Sequence, residues 1–376
     1  MALNYHLRKR FLHFVIIFTF CQVIFTFSFV TITGQSADIK ERDPSTLPLI
    51  SASDPKIQYT GRIDKHLPDQ YKYSSPGVYI EAKFRGSSCS FDMAAEGSQN
   101  YIEIVVDNGV PLRIPVDKER KTYKVASGLT DGKHTVLICK DTEAGMGSLF
   151  FFGFRCEQLI DFQEPDRKIE CYGNSITCGA KMITGELCEQ TSNWNAPNKA
   201  YASYGAVMAR ELNACWQLTS VSGIGLIHSC CNMPNTMPDT YDRLFLENPQ
   251  SEKWDFGKYV PDVVTICLGQ NDGETIVASQ EFTFRYIQFV KELKNKYPRA
   301  TFFLLTSPMA DINLFNAMKS GLANITEQLN KDGLTNVYKV ELPYNLTHGC
   351  QSHPNEQEHL IIAEVLEKAI KEKMGW

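Results

Sequence analysis

The chain has no surplus of basic residues; its formal net charge is −5. Tracking a nucleic-acid backbone calls for a basic face, so that class of partner is excluded on charge. Zinc-site spacing is missing as well. No C-x-x-C pair occurs and no His/Cys cluster has ligand spacing, which argues against a structural metal and leaves no cofactor to expect. Internal repeats and low-complexity tracts are absent beyond the N-terminal leader. No stretch between Ile57 and Cys156 carries a helical period.

Charge is missing too from most of the N-terminal leader. Arg8, Lys9 and Arg10 form a small basic cluster, and Phe11 to Ile32 follows without a charged residue. That order fits a secretory signal peptide over residues 1–36, with small residues near Gly34 and Ser36 for cleavage. The apolar span is also long enough for an uncleaved signal anchor. Cys21 lacks the small neighbours of a lipidated cysteine. The expectation is a secreted, periplasmic or extracellular chain, with no stable membrane contact beyond such an anchor. Twelve cysteines less Cys21 leaves an odd number for an exported protein. Cys171 and Cys267 lie in apolar runs and read as buried thiols. Pairings among Cys139, Cys156, Cys178, Cys188, Cys230, Cys231 and Cys350 stay open.

Residues 37–55 are polar, with Ser45 to Pro48 near their middle, and read as a linker. From 56 to 160 the pattern alternates. Val78, Ile80, Ala82 and Phe84 interleave with Tyr79, Glu81 and Lys83, and 101–106 and 134–139 behave alike. Turn signals at Gly86–Ser88, Asp107–Gly109, Asp131–Gly132 and Glu143–Gly145 separate these runs. Short strands at this spacing predict an antiparallel sandwich. From 161 to 376 strand and helix patterns alternate. Strands are expected at Ile169–Tyr172, Gln217–Ser222, Val263–Leu268, Thr301–Thr306 and Val337–Leu342. Helices are expected at Tyr201–Leu212, Gln280–Tyr297, Leu314–Lys331 and Glu356–Met374. That alternation makes a mainly parallel sheet covered on both faces, with functional residues beyond the carboxyl ends of its strands.

Four polar stretches fall at those ends: Gly173–Ser175, Ser222–Leu226, Gly269–Gly273 and Gly349–Pro354. Taken singly each is bland. Ser175 serves as well as a helix cap, Gly223 and Gly225 as turn glycines, Asn271 and Asp272 as a turn, His353 as a loop histidine. Together, in this chain order, they suit acyl transfer. Ser175 can attack a carbonyl and His353 can take its proton. Backbone N–H groups of Ser175 and Gly225 and the Asn271 amide can hold the oxyanion. Among the aromatic residues of this half, Trp216, Trp254 and Tyr241 read as core. Trp194, in the loop-like stretch 193–197, is the candidate sugar platform.

These blocks resemble those of SGNH (GDSL-type) hydrolases. The stretches Tyr59–Asp64, Phe84–Ser88, Gly132–Val136 and Lys140–Ala144 are similar to the jelly-roll domain preceding the hydrolase in carbohydrate esterase family 2. The likeness runs from Lys56 nearly to the C-terminus. It implies an all-β jelly-roll followed by a flavodoxin-like, five-stranded α/β hydrolase. It further implies removal of O-acetyl groups from plant polysaccharides such as xylan or mannan, with an acetylated polysaccharide or oligosaccharide as the binding partner. Ser175 would be the nucleophile and His353 the base, with Ser175, Gly225 and Asn271 forming the oxyanion hole. The chain departs from the usual pattern in two respects: Asn174 stands where many such hydrolases have Asp, a change that keeps the turn chemistry, and the second departure is larger. The positions where a triad acid precedes the histidine hold Cys350 and Gln351. A dyad, with a main-chain carbonyl orienting the imidazole, is therefore expected. Two other readings remain open: a carbohydrate-binding protein with a vestigial site, and an esterase for another acyl group.

Overall fold

The computed structural model describes residues 43–189 and 195–376. The leader and residues 37–42 lie outside these. Among the described residues no helix is long and apolar enough to cross a membrane.

The first half is an antiparallel assembly of ten strands. Its organising element is Tyr79–Ala95, a strand of 17 residues. The first part of this strand pairs with Ile57–Thr60 and Gly132–Lys140 and the second with Lys121–Ala126, while Leu149–Ile160 runs along 83–95. One continuous strand therefore serves both layers. The turn expected at Gly86–Ser88 is not there. Gly86 instead lies inside the strand at φ 126°, a conformation open to glycine that bends the strand without breaking it. The signal at 107–109 is a true turn, with Asp107 and Asn108 both left-handed at φ 52° and 56°. The linker reading also needs correcting. Leu49–Ser51 pairs with 153–155 in the sheet, Ser90 Oγ donates to the Pro44 carbonyl at 3.0 Å, and Arg155 Nη1 donates to the Leu47 carbonyl at 2.8 Å. The sandwich thus begins ahead of residue 56. Its core is Phe84, Phe91, Phe151 and Phe154 with the alternating aliphatics around them.

The second half is one five-stranded sheet. Its strands are β1 (Arg167–Gly173), β2 (Ala214–Ser220), β3 (Val263–Cys267), β4 (Thr301–Leu305) and β5 (Val337–Val340). All neighbours are parallel and the order is β2-β1-β3-β4-β5. Successive side chains point to opposite faces. Val264, Ile266, Phe302 and Leu304 enter one core with helices Gln280–Lys296 and Ile312–Lys331. Val263, Cys267, Phe303 and Leu305 enter the other with Tyr204–Glu211 and Glu356–Met374. The order reverses beside β1, which places its carboxyl end at the switch point where such sheets bind ligands.

The sandwich packs against the hydrolase sheet. Tyr79 stacks on Trp216 at 3.9 Å, and the Trp216 indole N–H donates to the Gly77 carbonyl at 3.0 Å. Arg62 reaches across to Glu170 of β1, 3.6 Å away, with both side chains essentially inaccessible. Glu170 Oε1 also accepts from Gln217 at 2.7 Å and Thr219 at 2.6 Å. A buried pair so surrounded is costly to break, because the survivor keeps its charge without a partner.

Candidate active site

β1 ends at Gly173, and Asn174 caps the next turn by accepting the Ile176 N–H at 3.1 Å. The helix that follows is a single turn, Ser175–Cys178, closed by Gly179 at φ 69°. The dipole of so short a turn is weak. Gly173 is dictated by space, since a Cβ there would lie 2.0 Å from Thr177 Oγ1. The tight elbow leaves Ser175 largely buried, with its hydroxyl facing the loop before the last helix. His353 Nε2 lies 3.0 Å from Ser175 Oγ.

The other ring nitrogen, Nδ1, lies 3.1 Å from the Gln351 carbonyl oxygen. A carbonyl can only accept, so Nδ1 carries the proton and Nε2 is left to accept from the serine. Gln351 and Ser352 are both left-handed, at φ 51° and 58°, and this turns the carbonyl back beneath the ring. Burial pushes the His353 pKa down, and the nearby Lys181 charge adds to that effect. The hydrogen bonds to Gln351 and Cys350 pull the other way but do not prevail.

Asp272 does not approach the ring. Its carboxylate accepts the N–H groups of Leu226 at 2.9 Å, Ile227 at 2.7 Å and His228 at 3.0 Å, fixing the loop after β2. Asn271 Nδ2 donates to the Ile224 carbonyl of the same loop at 2.8 Å. Gly225 N–H already donates to Ser229 Oγ at 3.1 Å, whereas Gly223 N–H makes no hydrogen bond to the described residues. Trp194 lies outside the described residues. Trp216, Trp254 and Tyr241 are buried, as core residues. Of the other histidines, His359 is buried and accepts the Tyr204 N–H at 3.0 Å, and His348 pairs with Glu358.

Sequence reasoning passed over several neighbours. Lys181 is buried, and its carbonyl accepts the Cys350 N–H at 2.8 Å. Burial brings the Lys181 pKa down to about 8. Disulfides join Cys188 to Cys350 and Cys230 to Cys231. Cys139, Cys156, Cys171, Cys178 and Cys267 are buried free thiols. Glu143 of the sandwich comes within 3.2 Å of Asn198 Nδ2, beside Ser222 and Lys181. Its pKa is raised by burial. In the sequence Glu143 stands out only as part of the Glu143–Gly145 turn signal and the Lys140–Ala144 stretch. Among the described residues no group of three or more His, Cys, Asp or Glu could hold a metal ion.

Comparison with known proteins gives a consistent family. A model of the carbohydrate esterase 2 N-terminal domain matches residues 59–164, and one of GDSL-like lipases/acylhydrolases matches 169–366. The chain is 34% identical over 330 residues to the cellulase/esterase CelE of Acetivibrio thermocellus, covering 86% of this chain and 40% of that protein. It is 27% identical over 335 residues to an acetylxylan esterase / glucomannan deacetylase of Cellvibrio japonicus, covering 87% and 91%. A family two carbohydrate esterase from Clostridium thermocellum, solved with cellohexaose, superposes with a TM-score of 0.76 at 33% identity. That match covers 85% of this chain and 99% of the other. With a jelly-roll-type sandwich, a five-stranded parallel hydrolase sheet and both family models in register, the chain belongs to carbohydrate esterase family 2.

Proposed function

We propose that this protein is a serine carboxylic-ester hydrolase that removes O-acetyl groups from plant polysaccharides of the xylan and glucomannan type. The observation that carries this is the 3.0 Å approach of His353 Nε2 to Ser175 Oγ, with Nδ1 held by a carbonyl. The names of the relatives support the substrate class.

In this reading Ser175 Oγ attacks the acetyl carbonyl as its proton passes to His353 Nε2. The Gln351 carbonyl steadies the Nδ1–H as the ring becomes cationic. The oxyanion is met by the Ser175 N–H and the second hydrogen of Asn271 Nδ2. Gly223 N–H, which donates to none of the described residues, lies on the same loop, and Gly225 N–H joins when it releases Ser229. A single such donor is worth roughly 3 kcal/mol of barrier. His353 then returns its proton to the sugar oxygen, and the alcohol leaves. Water, deprotonated by the same ring, frees acetate from Ser175. A neutral carbonyl stabilises the imidazolium less than a carboxylate would, so turnover is expected to be modest. Export, by cleavage or anchoring of the 1–36 leader, belongs to the same proposal, as does a sugar-facing role for Trp194.

The test is acetate release from acetylated xylan and acetylated glucomannan side by side, together with short-acyl and long-acyl aryl esters. Release from both polysaccharides with a preference for acetyl supports the reading. Saturable polysaccharide binding without acetate release would instead favour a vestigial site, and a long-acyl preference would favour another ester class.

A further inference from the structure

We infer that the sandwich domain positions the His353 ring through Asn198, a role that a triad carboxylate would otherwise fill. This rests on the esterase reading above. The carbonyl beneath the ring is aimed by two consecutive left-handed residues, Gln351 and Ser352. Such a backbone persists only where its surroundings over-determine it. The links can be followed outward from the ring. His353 N–H donates to the Cys350 carbonyl at 3.1 Å, and Cys350 N–H donates to the Lys181 carbonyl at 2.8 Å. Lys181 N–H donates to Asn198 Oδ1 at 2.9 Å.

Asn198 is fully buried and its polar atoms are all engaged. Nδ2 donates to Glu143 Oε1 at 3.2 Å and to Asn195 Oδ1 at 2.7 Å. Its N–H donates to the Asn195 carbonyl at 3.1 Å, and its own carbonyl accepts from Arg113 Nη2 at 2.8 Å. Glu143 and Arg113 both come from the sandwich. Each is fixed there in turn. Arg113 Nε donates to the buried Asp141 at 2.9 Å. The inaccessible Lys140 ammonium donates to the carbonyls of Thr142 at 2.6 Å and Glu143 at 3.0 Å. Direct hydrogen bonds thus run from the sandwich to the turn that aims the ring. Asn198 acts through this turn and is a positioning residue.

The experiment compares the full-length wild type with Asn198→Ala, Asn198→Asp, and Asn198→Asp combined with Glu143→Gln. The combined change exchanges donor and acceptor across the contact at constant net charge. The Asn195 Nδ2 group, which has no partner among the described residues, is available to the new carboxylate. With 4-nitrophenyl acetate, which has no sugar to contact, each single variant should lose ten- to hundredfold in kcat with KM within about twofold. The exchange should recover kcat to within about threefold of wild type. NMR titration of the His353 ring provides a readout independent of turnover. Lys181 and His359 are the titratable groups that face the ring. In Asn198→Ala the loosened, better-hydrated ring should titrate higher than in wild type. An unchanged ring titration and kcat in folded Asn198→Ala overturns the inference. So does a loss confined to acetylated oligosaccharides, which would make Asn198 or Glu143 a substrate contact. If wild type hydrolyses no acetyl ester, the esterase reading fails, and the ring titration still decides the positioning.

Discussion

Replacing Asp272 by Asn should damage stability and turnover together. The carboxylate is 5% exposed and meets three backbone N–H groups in a row, from Leu226, Ile227 and His228. Hydrogen bonds to a charged acceptor contribute about 1 kcal/mol more each than neutral ones. The amide oxygen can stay on Ile227 and His228, and within 3.1 Å of the Leu226 N–H, which the two carboxylate oxygens share. The amide nitrogen must then face the Leu226 N–H, donor against donor, at the place where Oδ2 accepted at 2.9 Å. The buried amide nitrogen, a donor left without an acceptor, costs about 1–3 kcal/mol. The combined loss is about 3–5 kcal/mol. At about 2 °C per kcal/mol, Tm should fall by roughly 6–10 °C. The loop so loosened also supplies the Ile224 carbonyl that holds Asn271. For that reason kcat on an aryl acetate should fall by ten- to hundredfold at a temperature where the variant is still folded. Thermal unfolding followed by circular dichroism, with steady-state kinetics below the transition, checks both. A variant with wild-type Tm and kcat would refute the idea that this carboxylate holds the loop.

Arg62→Ala removes the cation beside the buried Glu170, which keeps its neutral donors Gln217 and Thr219, and should cost about 3–5 kcal/mol in chemical unfolding. Gln351→Ala should keep activity within about twofold in the same kinetic assay, because only its main-chain carbonyl meets the ring. The pH profile follows from His353. Its pKa is lowered from 6.5, and the neutral ring is the active base. Activity is therefore present above the folded-state pKa and lost as pH falls through it. The acid limb of kcat/KM should lie below 6.5, and a limb at or above that value would contradict the burial argument.

Much of the architecture was legible because periodicity reports it directly. The parallel strands carry apolar runs that feed two cores, as Val263–Cys267 does, and the run-and-turn pattern around Asp107–Gly109 marks the sandwich. That Ser175 and His353 meet was legible from chain order, since switch-point geometry gathers the loops after parallel strands. Gly86 misled because a glycine inside a bent strand looks locally like a turn. The fastening of residues 44–51 was hidden because it depends on Ser90 and Arg155, which lie far off in sequence. The engagement of Gly225 by Ser229, the turn of Asp272 away from the histidine, and the convergence of Glu143 and Lys181 on Asn198 are all long-range or backbone-directed contacts. No spacing rule reads those. The Gln351 carbonyl was foreseeable only as an absence, because no acid stands where one would serve.

The most direct measurement is acetate released from acetylated xylan by wild type and by Ser175→Ala, with both shown to be folded by circular dichroism. The account predicts steady release by wild type and a fall of at least a thousandfold in the variant. Equal release by the two proteins would contradict it, because the hydroxyl 3.0 Å from His353 Nε2 would then not be the group that takes the acetyl.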